Sequence, residues 1–429
     1  MSKAQLLKEL PELVREGLIG EDQAARIRER YGQSQQDREG RGQLLFGVVG
    51  ALLVGLGVIL VVAHNWDELP RSLRTILALT PMLIGQVLCI LALRKQEDRV
   101  ALREGASLFL AFAVAAALSL LAQIYHLPGS LEGFLYSWAL LILVQLYAMR
   151  AAFTLMLYMA IIAWYAVLVR VDLFDAGGMP YYALLGWLLG IPALRSLALK
   201  NGDGARFRWA ATFSALSLGI IAQLFWEDFE RWHVLGPLGL ALAYYLLPEV
   251  CATLLAGRVM RLGMVRWIGR LAGLGILFFF SWQFPWEDSS TSLPQGTDLI
   301  PWGLMIACGA YAYALSFKGR DLRNGSLFPE ALVAFVLVLA LGALHTGLAQ
   351  FMTNLVLLVL GVSLALQGIK EGSMGRMNLG AAIVAVTVLM RFFDLDISYA
   401  LRGVIFIGLG LAILSLNLRM MRRKRSHEA

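Results

Sequence analysis

Cysteine is nearly absent from this chain: Cys89, Cys251 and Cys308 are the three among 429 residues, each within an apolar stretch and none in a CxxC pair. That excludes a disulfide framework and a CxxC redox centre, and leaves the three as small apolar fillers. Charge is also in short supply. Asp, Glu, Lys and Arg make up 16% of the sequence against 59% for hydrophobic types, outside the composition of ordinary soluble domains. Histidine occurs five times, with no spacing that matches a metal motif. No catalytic or nucleotide-binding motif is complete. The expectation is therefore a protein that is not an enzyme, with no cofactor and no resident metal.

What the chain does have is long apolar runs and a mean hydropathy of +0.67. Residues 44–63 read LLFGVVGALLVGLGVILVVA without one charge, and about 20 such residues in a helix cover the hydrocarbon core of a bilayer. Segments of this kind recur at 73–93, 105–125, 133–149, 152–170, 181–199, 209–226, 234–256, 264–282, 299–317, 328–345, 348–369, 377–393 and 400–418. The fold class predicted is all-α, a polytopic transmembrane helical bundle of about 14 spans over residues 44–418. A polar head at 1–43 precedes it and a basic tail at 419–429 follows.

Lysine and arginine fall almost entirely in every second gap between these segments. All but Arg71, Arg74, Arg170, Arg231, Arg391 and Arg402 of the 37 lie on one side, which the positive-inside rule makes the cytoplasm, with both termini there. Such loops reflect topology and anionic headgroups, so the net charge of +7 predicts no nucleic-acid partner. The expected partners are membrane lipids, with a membrane-protein partner as a further possibility. Within the head, residues 3–16 and 21–31 carry two short helical patterns split by Gly17 and Gly20, a helical hairpin on the cytoplasmic side. Glu21 and Asp22 suit the first turn of its second helix. The polar segment 33–43 reads as a tether. With 43 polar residues ahead of the first long span, no cleavable signal is expected.

Several of these residues also carry a resemblance. Gly17-Leu18-Ile19 with Gln23-Ala24, Ile27 and Tyr31, then the glycine-rich span 44–63 running into His64-Asn65-Trp66-Asp67-Glu68-Leu69-Pro70-Arg71, resembles the bacterial predicted-membrane-protein family called domain of unknown function 2157. The likeness covers about the first third of the chain, and the NWD-x-x-PR turn is its most specific part. His64 stands where that family commonly has a small residue. The C-terminal RFFDLDISYALRG segment is similar to the family's longer members. The resemblance implies a multi-pass protein of the bacterial inner membrane with undefined activity, and it supplies no catalytic residues.

Polar groups at membrane depth are the candidates for function. Glu249 is the clearest, because a carboxylate in hydrocarbon costs several kcal/mol unless protonated, paired or hydrated. Tyr245 and Thr253 share its helix face at four-residue spacing, and Pro248 leaves the Tyr244 carbonyl without its helical donor. At the other end, the outward turns combine aromatics with carboxylates. His64, Asp67, His126, Glu227, His233 and His345 fall there, forming an interfacial belt or, if they converge, a polar mouth, a divalent-metal site or a pH sensor. Arg391 and Asp394 are spaced to pair along one helix. Gly47, Ala51 and Gly55 form one small-residue ridge, and Gly269 and Gly273 another, suited to close packing within the bundle. The strings Ala122-Gln123-Ile124-Tyr125 and Ala222-Gln223-Leu224-Phe225 echo each other. The leading expectation is binding or transport of a lipid, amphiphile or small solute, with Glu249 as polar anchor. The alternatives are an envelope scaffold or sensor that recruits a partner through the head, and an intramembrane metalloenzyme built on His64, His126 and His233.

Overall fold

Helix is the only regular structure among the described residues, as expected of segments whose backbone groups must be satisfied internally. The computed structural model describes residues 13–16, 20–24, 68–94, 100–170, 180–225, 231–254, 262–287, 299–317, 326–394 and 407–408. The span at 44–63 and nearly all of that at 400–418 lie outside them, as do the tether, the tail and most of the head. Two units divide the chain, Met1–Leu77 and Ala78–Ala429.

In the first unit, residues 13–15 and 21–24 are helical. Gly20 caps the second stretch: its carbonyl accepts from the amides of Gln23 and Ala24, and its own amide donates to Gln23 Oε1 at 3.3 Å, a reciprocal cap of the box type. Glu21 and Asp22 occupy that first turn, as expected from the macrodipole. Pro70 opens the next helix, accepting from the amides of Leu73 and Arg74, while Arg74 Nε donates to the Leu69 carbonyl at 2.8 Å.

The helices are α1 (Arg71–Arg94), α2 (Val100–Ile124), α3 (Leu131–Met149), α4 (Ala152–Arg170), α5 (Tyr181–Asn201), α6 (Ala205–Gln223), α7 (Leu235–Leu254), α8 (Gly263–Phe279), the single turn α9 (Phe284–Glu287), α10 (Leu299–Phe317), α11 (Phe328–Gly342), α12 (Thr346–Lys370) and α13 (Met374–Asp394). The twelve apolar segments predicted between 73 and 393 each coincide with one of them. Among the described residues, α1 to α5, α7, α12 and α13 supply eight helices long and apolar enough to cross a membrane, and α10 and α11 contain shorter apolar ones. Two arginines lie in the first half of each of α6 (Arg206, Arg208) and α8 (Arg266, Arg270).

Among the described residues the second unit holds a small hydrophobic core around Cys89, Leu110 and Met149 and two larger ones, and α7 is the seam between the larger two. Leu240 and Tyr244 of α7 join the core made mainly by α3 to α6, whereas Leu238, Leu242, Tyr245 and Leu246 join the one made with α8 and α10 to α13. Because helices in lipid gain little from hydrophobic association, hydrogen bonds and close backbone approach must fix them to one another. The indole of Trp138 donates to the Ala111 carbonyl, that of Trp187 to Ser214, and the Tyr244 hydroxyl to Ala215, each at 2.8 Å. A Cβ on Gly269 would come within 2.5 Å of the Ala241 carbonyl oxygen and the Tyr245 amide, and one on Gly273 within 2.8 Å of the Phe328 ring. This ridge packs inside the bundle as expected, while the ridge at Gly47 lies outside the described residues.

One helix start is capped from a distance. Ala151 cannot supply an N-cap oxygen to α4; instead both carboxylate oxygens of Glu104, on α2, accept from the amides of Ala152 and Phe153 at 2.9 Å. Arg150, at a left-handed φ of 48°, turns the chain sharply from α3 into α4. Arg206 from α6 completes the arrangement with an ion pair to Glu104, whose side chain is 6% exposed.

Candidate functional site

Glu249 sits on α7 five residues before its last residue, Leu254, about 7.5 Å along the axis. Its Oε1 accepts from Arg266 Nη2 of α8 at 3.3 Å, an ion pair between two side chains each about one-third exposed. Tyr245, one turn earlier, is buried and its ring centroid lies 4.6 Å from that of Phe328. The guanidinium carbons of Arg266 and Arg270 stand 5.6 and 5.4 Å from the Tyr245 ring centroid, and Arg270 also stands 4.8 Å from Trp267. Thr253 turns its hydroxyl back to the Val250 carbonyl at 2.8 Å. Two of the three residues predicted on this face thus share an arginine-bearing surface, and the third satisfies its own helix.

The outward histidines do not gather. His126 ends the turn after α2 with φ of 51° and is exposed. His233 packs edge-on against Trp302, centroids 4.7 Å apart, and His345 sits exposed ahead of α12. Among the described residues no three His, Cys, Asp or Glu side chains come together as a metal site would need. His64, Asp67 and Glu227 lie outside the described residues. The two echoing strings both close a helix, α2 and α6.

Between α6, α7 and α8 a cleft of about 330 Å³ runs from Tyr244 and Ile268 toward the helix ends farthest from the arginines. Its walls are Val234, Pro237, Leu240, Ile276 and Phe279 with their neighbours, and Gln223 is its amide-bearing residue. Gly219 and Gly275 also line it, and a Cβ at either would meet nothing within 4 Å. Open space therefore adjoins both glycines. A cleft of this size and polarity lies within the ~300–1,000 Å³ of ligand pockets, apolar with few polar groups. Glu249 is not among its lining residues. A second recess of about 400 Å³, between α4 and α6, is walled by residues such as Trp164, Phe213 and Ile220.

Two polar clusters escaped the sequence reading. Near Glu104, Ser107 and Thr154 share a hydrogen bond of 2.7 Å, and Gln145 Nε2 donates to the Ser107 carbonyl at 2.6 Å. At the far end of the second core, Arg391 donates to the Ser281 carbonyl and, through Nε, to Asn354 Oδ1 at 3.2 Å. With its amide turned to satisfy both ends, Gln350 accepts from Arg391 Nη2 at 2.7 Å and from the Gln283 amide at 3.1 Å. Arg391 therefore ties α13 to α12 and to the turn after α8; the side chain of Asp394, its expected partner, is outside the described residues. Lone amides in separate spans are the only sequence trace of such clusters.

No curated protein and no solved structure matches this chain. The multiple apolar helices are those of a membrane protein, and a family comparison agrees: residues 11–155, from the head into α4, match the model of the family described as Predicted membrane protein (DUF2157), the one that the NWD-x-x-PR turn resembles.

Proposed function

We propose that this protein holds the acyl chain of a membrane lipid or related amphiphile in the cleft between α6, α7 and α8, without catalysing its conversion. The observation that carries the reading is the cleft itself: apolar walls, one amide at Gln223, and open space beside Gly219 and Gly275. The setting proposed is the bacterial inner membrane, with about 14 spans and both termini cytoplasmic. The arginines at the starts of α6 and α8 then face the cytoplasm, and the cleft falls in the outer half of the bilayer. In this reading the polar contact for the ligand is Gln223 rather than Glu249, which is engaged with Arg266 at the opposite end.

A photoactivatable phospholipid, with the reactive group midway along its acyl chain, tests this in vesicles holding the full chain. Cross-links are expected on the peptides of α6 to α8 in the wild type and in Glu249→Gln. Gly275→Phe, which fills open space, is expected to abolish them with the melting temperature unchanged. Equal labelling of wild type and Gly275→Phe would dismiss the cleft as the binding site.

A further inference from the structure

At the opposite end of α7 and α8, two guanidinium groups flank one tyrosine ring. Tyr245 is 3% exposed and wedged against Phe328, so its ring is a fixed platform. Arg270 packs on both Tyr245 and Trp267, whereas Arg266 packs on Tyr245 and reaches Glu249. Aromatic faces favour such cations and hold their planar groups in a defined orientation. Among the described residues Arg270 makes no hydrogen bond or ion pair through its side chain. Among the described residues the Nε atoms of both arginines are buried without an acceptor, as are those of Arg103, Arg206 and Arg208, so the stacking on Tyr245 rather than the buried Nε sets this pair apart. A buried donor left without an acceptor costs free energy of its own, so the arrangement is incomplete as it stands.

Two arginines against the single carboxylate of Glu249 leave this cluster with net positive charge. The two terminal nitrogens of an Arg present N–H groups side by side, a spacing that fits two oxygens of a phosphate. The location narrows the source. Arg266 and Arg270 are the fourth and eighth residues of α8, about 4.5 and 10.5 Å from its first residue along the axis. Their neighbours Met264, Trp267 and Leu271 are 39%, 49% and 62% exposed. These are apolar surfaces at the depth where a span meets headgroups, with an indole of the kind that lines such boundaries.

We infer that Arg266 and Arg270, braced on Tyr245, form a binding site for the phosphate of an anionic phospholipid in the adjoining leaflet. This site is separate from the acyl-chain cleft and stands or falls without it. The terminal Nη–H groups supply the phosphate contacts, both Nε atoms being buried, and net charge selects lipids lacking a choline or amine.

Native mass spectrometry of the full-length protein, stripped of lipid in a neutral detergent and titrated with phosphatidylglycerol, reads the site directly. One tightly retained lipid is expected in the wild type, weakened about fivefold in Arg270→Gln and again in Arg266→Gln. Arg270→Lys keeps the charge without the fork and is expected to lie between wild type and Arg270→Gln. Arg208→Gln, on α6, serves as a charge-matched control and is expected to bind as the wild type does. Phosphatidylcholine and inorganic phosphate, titrated separately, are expected to leave that lipid in place. Equal retention by wild type and both Gln variants would overturn the inference, as would displacement by phosphatidylcholine. Displacement by millimolar inorganic phosphate would overturn the assignment to a lipid. If Arg270→Gln does not fold, the Arg266→Gln and Arg270→Lys affinities decide the matter.

Discussion

Gly309 of α10 meets Gly239 of α7 backbone to backbone: a Cβ on Gly309 would lie 2.5 Å from the Gly239 carbonyl oxygen and 2.8 Å from its Cα. Neither helix can yield without opening the pair, since the obstacle is main chain rather than a flexible side chain. Gly309→Leu is expected to destabilise the protein by about 3 kcal/mol, at the upper end of overpacking costs. Gly275→Ala, in open space, is expected to be neutral or mildly stabilising. Thermal unfolding in detergent, followed by tryptophan fluorescence, distinguishes the two.

Removing the carboxylate that caps α4 is expected to be the most damaging single polar change. Glu104→Ala takes the acceptor from two backbone amides and from the partly exposed Arg206 at once, and each amide left without a partner costs about 1–3 kcal/mol. Glu104→Gln keeps one carbonyl acceptor and should fall between Ala and wild type. Midpoints of urea unfolding for the three proteins give the order; an Ala variant as stable as the wild type would refute the capping role.

The pair of Glu249 with Arg266 is a contrasting case. Both side chains are about one-third exposed, so a double-mutant cycle with Glu249→Gln and Arg266→Gln should return a coupling of about 1 kcal/mol or less. A much larger value would show that lipid around the pair raises its strength well beyond that of a surface bridge.

At the far end, Asn354→Leu deprives Arg391 Nε of its acceptor. The expected loss is about 1–3 kcal/mol, and Asn354→Asp should be better tolerated because it keeps an oxygen facing the guanidinium. Proteolysis rates of the native protein, which follow its open population, report the difference.

Helix positions were legible because a bilayer imposes one length and one polarity on every crossing. Even α6 and α8, with two arginines each, fall where the apolar runs predict. Long-range polar partners were not legible. Glu104 reads as one more charge in the gap at 94–104, and its acceptor role needs Ala152 and Arg206, 48 and 102 residues away. Glu249 was conspicuous for the opposite reason, an acid within an apolar run, yet nothing local pointed to Arg266 across an intervening turn. The cleft left still less trace. Gly275 matches no ridge pattern, Gly219 merely continues one with Ala211 and Ala215, and a hollow between helices has no signature of its own. As for the histidines expected on the outer side, a sidedness read from topology carries no information about distance within the plane.

Glu104 also has a history written into its partners' positions. Ribosomes add about 5–20 residues per second, so the amides of Ala152 and Phe153 emerge roughly 2–10 s after it and Arg206 roughly 5–20 s after it. During that interval the growing chain carries an acid that its later helices have yet to cover, and α2 to α4 must linger beside water or the insertion machinery before α6 arrives. Covering of this acid is thus timed by the arrival of Arg206, and slowing translation between codons 155 and 205 would lengthen its exposure.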